Sequence, residues 1–207
     1  MTSSDHDRTA EPRGAVAGLL LAAGGGRRLG GFPKALLRHR GRPLVEHAVR
    51  ALRAGGCDPV HIVLGAEAER VRAEADLSGC VLIDNPEWAL GMGSSLRAGL
   101  RSLGRAGDAV LVCLVDQPGI GAPAVARVRA AYTSRNSLVT AVYRGERGHP
   151  VLIGADRWPA VAESAGGDRG ARAHLAAHAA SLVLVECGDI ADAYDIDTPD
   201  DLGRLEE

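Results

Sequence analysis

A chain of 207 residues, 46% hydrophobic and 24% charged, is long enough to bury a core without disulfides or a structural metal. Its formal net charge of −2 and its 3% of aromatic residues argue against nucleic-acid binding, which needs a basic face or stacking platforms. Cys57, Cys80, Cys113 and Cys187 are scattered with no C-x-x-C pair, which excludes a zinc or dithiol motif and reads as reduced thiols in a cytoplasmic protein.

Residues 1–13 are polar and lack the apolar region of a signal peptide, so they read as a disordered leader ahead of one domain over 14–207. The apolar run 15–23 is far shorter than the roughly 20 residues a membrane span needs. It reads instead as a buried strand feeding a glycine loop. Pro43 then opens a helix with apolar residues at Leu44, Val45, Ala48, Val49 and Leu52, and Gly55-Gly56 stops it. A strand over 60–64 ends at Gly65, a charged Ala-rich helix follows over 66–75, and a short strand covers 81–83. Residues 85–93 form a loop, after which Ser94 or Ser95 is placed to cap a helix carrying Leu96, Leu100 and Leu103. The strand 109–115, a helix near 123–132 and a strand over 138–143 come next. Gly-rich turns, a strand over 182–185 and a last helix near 199–205 complete the chain. Alternating strands and helices predict an α/β three-layer sandwich around a mostly parallel, mixed sheet, with ligands at the carboxyl ends of its strands.

The first strand runs into Gly24-Gly25-Gly26-Arg27-Arg28-Leu29-Gly30-Gly31-Phe32-Pro33-Lys34. Glycines let main-chain N–H groups approach an anion, and Arg28 and Lys34 add charge-assisted bonds to phosphate oxygens. A Walker A loop fails because Lys34 lies between Pro33 and Ala35. The dinucleotide pattern G-x-G-x-x-G meets Leu29 at its third glycine. A looser G-x-G-x-x-x-G fits Gly24, Gly26 and Gly30, but the Tyr-x-x-x-Lys that usually accompanies it in short-chain dehydrogenases is missing. Asp116, in Val115-Asp116-Gln117-Pro118 after a buried strand, is placed either to hold a hard cation or to cap the next helix. Near the C-terminus, Asp195-Ile196-Asp197-Thr198-Pro199-Asp200-Asp201 offers further carboxylates, of which Asp200 and Asp201 suit the first turn of a helix.

Leu21-Ala22-Ala23-Gly24-x-Gly26-x-Arg28-x-Gly30 with Lys34 resembles the phosphate loop of the nucleotidyltransferases. Within that superfamily, Asn85-Pro86-x-Trp88-x-x-Gly91-Met92-x-x-Ser95, Asp116-Gln117-Pro118, Gly148-His149-Pro150 and Gly167-Asp168-x-Gly170-Ala171-Arg172 resemble segments of the molybdenum cofactor cytidylyltransferase group, in collinear order over roughly 16–206. One departure is Gly26, where the group often has Ser.

The resemblance implies transfer of a nucleoside monophosphate from an NTP, with CTP favoured, to a molybdopterin-type acceptor. It implies Mg²⁺ held by Asp116 and Asp197, with Asp195 the weaker candidate. Arg28 and Lys34 would carry the catalytic charge. Leu21, Ala22, Ala23, Gly24, Gly25, Gly26, Gly65, Gly91, Met92, Ser94 and Ser95 would bind the nucleotide, and His149, Asp168 and Arg169 the acceptor. Trp88 reads as a packing anchor. A molybdenum hydroxylase apoenzyme would be a receiving partner. The alternatives are GTP or a sugar phosphate as substrate, or a non-catalytic protein that holds and delivers a cofactor.

Overall fold

The computed structural model describes residues 14–104 and 107–205. The leader expected over 1–13 lies outside these residues. In chain order the elements are β1 (Val16–Leu21), β2 (Arg38–His39), β3 (Arg42–Pro43), α1 (Leu44–Ala54), β4 (Val60–Leu64), α2 (Ala68–Glu74), β5 (Val81–Asp84), α3 (Met92–Ser102), β6 (Ala109–Leu114), α4 (Ala122–Ala130), β7 (Leu138–Tyr143), β8 (Glu146–Gly154), α5 (Trp158–Ser164), α6 (Arg172–Ala177) and β9 (Val183–Glu186). Seven strands form one sheet in the order β5-β4-β1-β6-β8-β7-β9, while β2 and β3 make a separate small hairpin. Only β8 runs antiparallel to its neighbours, β6 and β7.

Alternation along β1 decides the two faces. Val16 and Leu20 point into a core built with Val45, Val49 and Leu52 of α1 and Val125 and Val128 of α4. Leu19 and Leu21 point the other way, among Leu96 and Leu100 of α3, Val161 of α5 and Leu175 of α6. α3 lies close to β1 because Gly99 has no side chain; a Cβ there would stand 2.5 Å from Leu19 Cδ1. The expected sandwich and mixed sheet are therefore present. Among the described residues no helix is long and apolar enough to cross a membrane. All four cysteines are free, and Cys57, Cys113 and Cys187 are buried.

Three local expectations are corrected. β8 falls where the sequence reads as Gly-rich turns. Its pairing with β7 slips between Thr140 and Ala141, so Val151 and Gly148 are successive partners and His149-Pro150 bulges out of the ladder. A bulge is where a strand tolerates proline, which has no N–H to donate. Neither Ser94 nor Ser95 caps α3: that helix starts at Met92 with Gly91 as its N-cap, and both serines are buried inside its first turns. The last helix is a 3-10 segment, Pro199–Leu205.

Candidate functional site: two clefts meeting at a lysine and two aspartates

The glycine loop turns sharply at Gly26, whose φ is 57° and whose Cβ, if present, would stand 2.0 Å from the Phe32 carbonyl oxygen. Only glycine fits there. Gly26 O then accepts N–H bonds from Leu29 at 2.8 Å and Gly31 at 3.0 Å, closing the loop on itself. Beyond Pro33 a single 3-10 turn carries Lys34, anchored by the buried side chains of Ala35 and Leu36.

Lys34 Nζ bonds Asp116 Oδ2 at 2.6 Å and also bonds Asp197 Oδ1. Arg28 Nη1 stands 3.6 Å from Asp197 Oδ2. Four residues separated by up to 169 positions thus converge at the carboxyl end of β1 and β6. Burial opposes the charge on Lys34, yet the carboxylates of Asp116 and Asp197 outweigh it and hold its pKa above the ordinary lysine value.

Two devices set Asp197. Ile196 N donates to the Asp116 backbone carbonyl at 2.9 Å, which ties the C-terminal segment to the end of β6. Asp201 Oδ2 accepts from Asp197 N at 3.1 Å, Thr198 N at 2.8 Å and Thr198 Oγ1 at 2.8 Å. This is one half of a capping box, Thr198-x-x-Asp201, at the start of the last 3-10 segment: the Asp201 carboxylate reaches back to the Thr198 N–H, while the Asp201 N–H donates to the Thr198 backbone carbonyl at 3.0 Å. Asp201 therefore holds the backbone of a site residue, a duty beyond that of a charge in a first turn. The Thr-x-x-Asp spacing was its signal in the sequence.

Two open cavities adjoin at this point and share Leu21, Arg28, Met92, Leu114, Asp116, Asp168 and Asp197 in their walls. The smaller, about 480 Å³, is lined by Gly24, Gly25, Gly26, Lys34, Trp88, Gly91 and Ser95. The larger, about 620 Å³, has an aliphatic floor that includes Leu96, Val112, Val151 and Ile153, and a rim of Arg147, Arg169 and Arg172 with His149. Such volumes suit small-molecule ligands.

The structure brings most of the expected residues to these clefts. Ala23, Gly24, Gly25, Gly26, Gly91 and Ser95 line the smaller one; His149 and Arg169 line the larger; Leu21, Met92 and Asp168 line both. Three do not reach either wall. Ala22 is in the core. Gly65 makes room for Trp88, whose Cβ would lie 2.5 Å from a Cβ at that position. Ser94 is enclosed by Asn85, Glu87 and Gly91. Trp88 both packs on Gly65 and faces the smaller cleft.

Sequence reasoning passed over Arg147, which carries no motif and stands on a strand the sequence hid. It joins Arg169 and Arg172, and among the described residues no salt bridge engages any of the three. Gln117 Nε2 donates to Asp195 Oδ1 at 2.9 Å, leaving Gln117 Oε1 buried without a partner beside the larger cavity. Burial, assisted by Asp116 and Asp197, raises the Asp195 pKa against the pull of Gln117 and Lys34. His149 is pushed down to about 4 by burial, with the Arg172 charge adding to the effect, so it is neutral at pH 7.

The residues 18–182 match the model of the MobA-like NTP transferase domain. The chain belongs to this family. It is an enzyme of the nucleotidyltransferase class, and the MobA-like match ends before Asp197, which the fold itself delivers to the site. The chain is 44% identical over 200 residues, 92% of its length and 96% of the relative's, to nicotine blue oxidoreductase of Paenarthrobacter nicotinovorans. A homolog of Mycobacterium tuberculosis rv0371c from mycobacterium sp. strain JC1 superposes with a TM-score of 0.81 at 29% identity, covering 92% of this chain and 94% of that one. Rv0371C from Mycobacterium tuberculosis, solved as a complex with manganese, shares the MobA-like fold at a TM-score of 0.75 and 23% identity, over 92% and 97% of the two chains.

The donor set fits a hard divalent cation. Asp116 and Asp197 both aim an oxygen at one cation-sized point, which the Lys34 ammonium holds here. Two carboxylates completed by phosphate oxygens are an ordinary Mg²⁺ environment. Among the described residues no group of three or more His, Cys, Asp or Glu side chains is placed to hold a metal, so this pair would need oxygens from a bound ligand to complete a coordination shell.

Proposed function

We propose that this enzyme transfers a nucleoside monophosphate from an NTP, CTP by preference, to the phosphate of a molybdopterin-type acceptor in the cytoplasm, releasing pyrophosphate. The observation that carries the reading is the junction of the two clefts at Lys34, Asp116 and Asp197. In this reading the glycine-lined cleft takes the NTP, and its triphosphate meets bare main chain, Arg28 and Lys34. The chamber beyond Asp116 takes the acceptor, whose anionic group suits Arg147, Arg169 and Arg172. A terminal oxygen of the acceptor phosphate attacks the α-phosphorus, the bond to the β-phosphate oxygen breaks, and pyrophosphate leaves with the electron pair. The nucleophile is already anionic, so no general base is needed, and neutral His149 is free to orient the acceptor. Asp116 and Asp197 would hold Mg²⁺, which neutralises triphosphate charge. Lys34 exchanges carboxylates for phosphate oxygens as the site fills, and catalysis rests on positioning and charge.

The test is to incubate the protein with each NTP, Mg²⁺ and molybdopterin and to measure pyrophosphate and the dinucleotide formed. A cytosine product is expected, with CTP ahead of GTP by at least about tenfold in kcat/KM, since roughly 1.4 kcal/mol at one unpaired polar group suffices. No pyrophosphate with any pair overturns the reading.

The name of the 44% identical relative favours a second reading, a redox reaction on a planar dye in the same chamber. Its aliphatic floor suits a flat ring, and Gly24, Gly26 and Gly30 fit a loose dinucleotide pattern. Consumption of a reduced nicotinamide dinucleotide with nicotine blue, and no pyrophosphate from any NTP, would establish it in place of nucleotidyl transfer.

A further inference from the structure

His149 reaches the larger cleft from the point where β8 leaves its ladder. Val151 pairs with Thr140 and Gly148 with Ala141, so His149-Pro150 stands outside the pairing. A bulge re-aims a side chain, and it also leaves main-chain groups without their ladder partners.

Two side chains of β7 take the carbonyls at this point. Thr140 Oγ1 donates to Gly148 O at 2.8 Å, and Tyr143 Oη donates to His149 O at 2.6 Å. They reach in from opposite faces of the sheet: Thr140 stands in the wall of the larger cleft, while Tyr143 lies with Val139 and Ala141 in the core on the α1 side. Gly148 leaves room for the tyrosine ring, on which a Cβ would press at 3.1 Å. Burial raises the Tyr143 pKa, so the phenol keeps the proton that it donates. The bulge is thus gripped on two successive carbonyls. Among the described residues no hydrogen bond engages the imidazole it carries, which lines the larger cleft near Arg172.

We infer that Tyr143 and Thr140 are positioning residues: by holding the carbonyls of His149 and Gly148 they fix the bulge that presents the His149 imidazole to the acceptor. This rests on the acceptor occupying the larger cleft. A neutral imidazole offers one donor and one acceptor nitrogen. An anionic group is drawn to Arg147, Arg169 and Arg172 on the same rim, which leaves the ring for an uncharged polar atom in the body of the acceptor. Tyr143 lines neither cleft, so it reaches the acceptor only through the bulge.

The test compares the full-length protein with Tyr143→Phe, which removes only the hydroxyl, and with Thr140→Val. Nuclear magnetic resonance follows the histidine ring signals through a pH titration, and His149→Asn identifies the signal of His149. That signal should titrate at about 4 in the wild type and move at least one pH unit toward the ordinary histidine value of about 6.5 in Tyr143→Phe. The KM for molybdopterin should rise about tenfold in the same variant, with the calorimetric Kd for CTP unchanged. Thr140→Val should move the His149 signal in the same direction. If circular dichroism shows that Tyr143→Phe is unfolded, Thr140→Val decides by the same two readouts. A tyrosine that serves stability alone would lower the melting temperature and leave the His149 signal and the molybdopterin KM in place. That result, with normal pyrophosphate release, overturns the inference and spares the transfer reading. A shifted His149 signal in a protein that releases no pyrophosphate from any NTP upholds the positioning and overturns the transfer reading.

Discussion

In the smaller cleft, Gly24, Gly25 and Gly26 leave the main chain bare, and Ser95 brings a hydroxyl to the wall. In the larger cleft, Leu96, Val112, Val151 and Ile153 pave a floor, and Arg147, Arg169 and Arg172 stand on its rim. Main-chain N–H groups in a rigid loop suit a triphosphate, which is the same in every NTP. Side chains on several separate elements suit a ligand whose body must be recognised. In the proposed reading the glycine-lined cleft meets the part common to every NTP with bare main chain, and the larger cleft recognises the body of the acceptor. Between them lies the seam of Lys34, Asp116 and Asp197, common to both.

The largest effects belong to the seam. Asp116→Asn or Asp197→Ala should lower kcat by about a hundredfold or more, with circular dichroism unchanged. Near-normal pyrophosphate release by Asp197→Ala would shift the metal to Asp195. Next comes the donor loop, where two glycines should part company. A Cβ at Gly24 meets nothing within 4 Å, so Gly24→Val fills open cleft and should abolish NTP binding while the melting temperature holds. Gly26→Val instead collides with Phe32 O and should distort the loop itself. Equal behaviour of the two variants in calorimetry and melting would remove the distinction.

A smaller effect is expected on the acceptor side. Arg172→Ala should raise the acceptor KM by roughly tenfold, the worth of one charge-assisted bond, while the Kd for CTP stays the same. Loss of CTP affinity in direct titration would dissolve the division of labour between the clefts. The smallest effect is a pH dependence. His149 titrates near 4 in the fold but near 6.5 when unfolded, so the unfolded chain takes its proton first on acidification. The stability this residue supplies is complete above about pH 6.5 and drains away as pH falls toward 4. Buried His61 and His174, lowered by desolvation as well, act in the same direction. The melting temperature should therefore fall between pH 7 and 4.5, and less steeply in His149→Asn. An inflection of kcat/KM near 6.5 that disappears in His149→Asn would show that His149 is solvated rather than buried.

Much of this was legible in the chain because the signals are local. The run 15–23 had to be a buried strand, and the glycines after it had to turn the chain, which they do at the wall of a cleft. Asp116 could be placed at a strand end because β6 is a continuous apolar run. Strand β8 stayed hidden because Gly148 and Pro150 break its local pattern; only the bulge against β7 lets such residues sit in a sheet. Arg147 was lost with it. Ser94 and Ser95 looked interchangeable, since neither sequence position nor spacing says which way a neighbouring amide points.

The sequence by itself determined the α/β class, the glycine loop and the residue types of the seam, since strand burial, glycine conformation and carboxylate chemistry are properties of short segments. The tertiary structure decided which of those residues meet. Asp197 reaches Asp116 only because Ile196 bonds the end of β6 and Asp201 clamps the turn that follows. Ser94 turns to Gly91 O and Glu87 O while Ser95 reaches the smaller cleft, although Asn85, on the segment after β5, bonds both. Hydrogen-bond direction and long-range contact depend on groups that folding brings together from distant positions, and no local pattern encodes them.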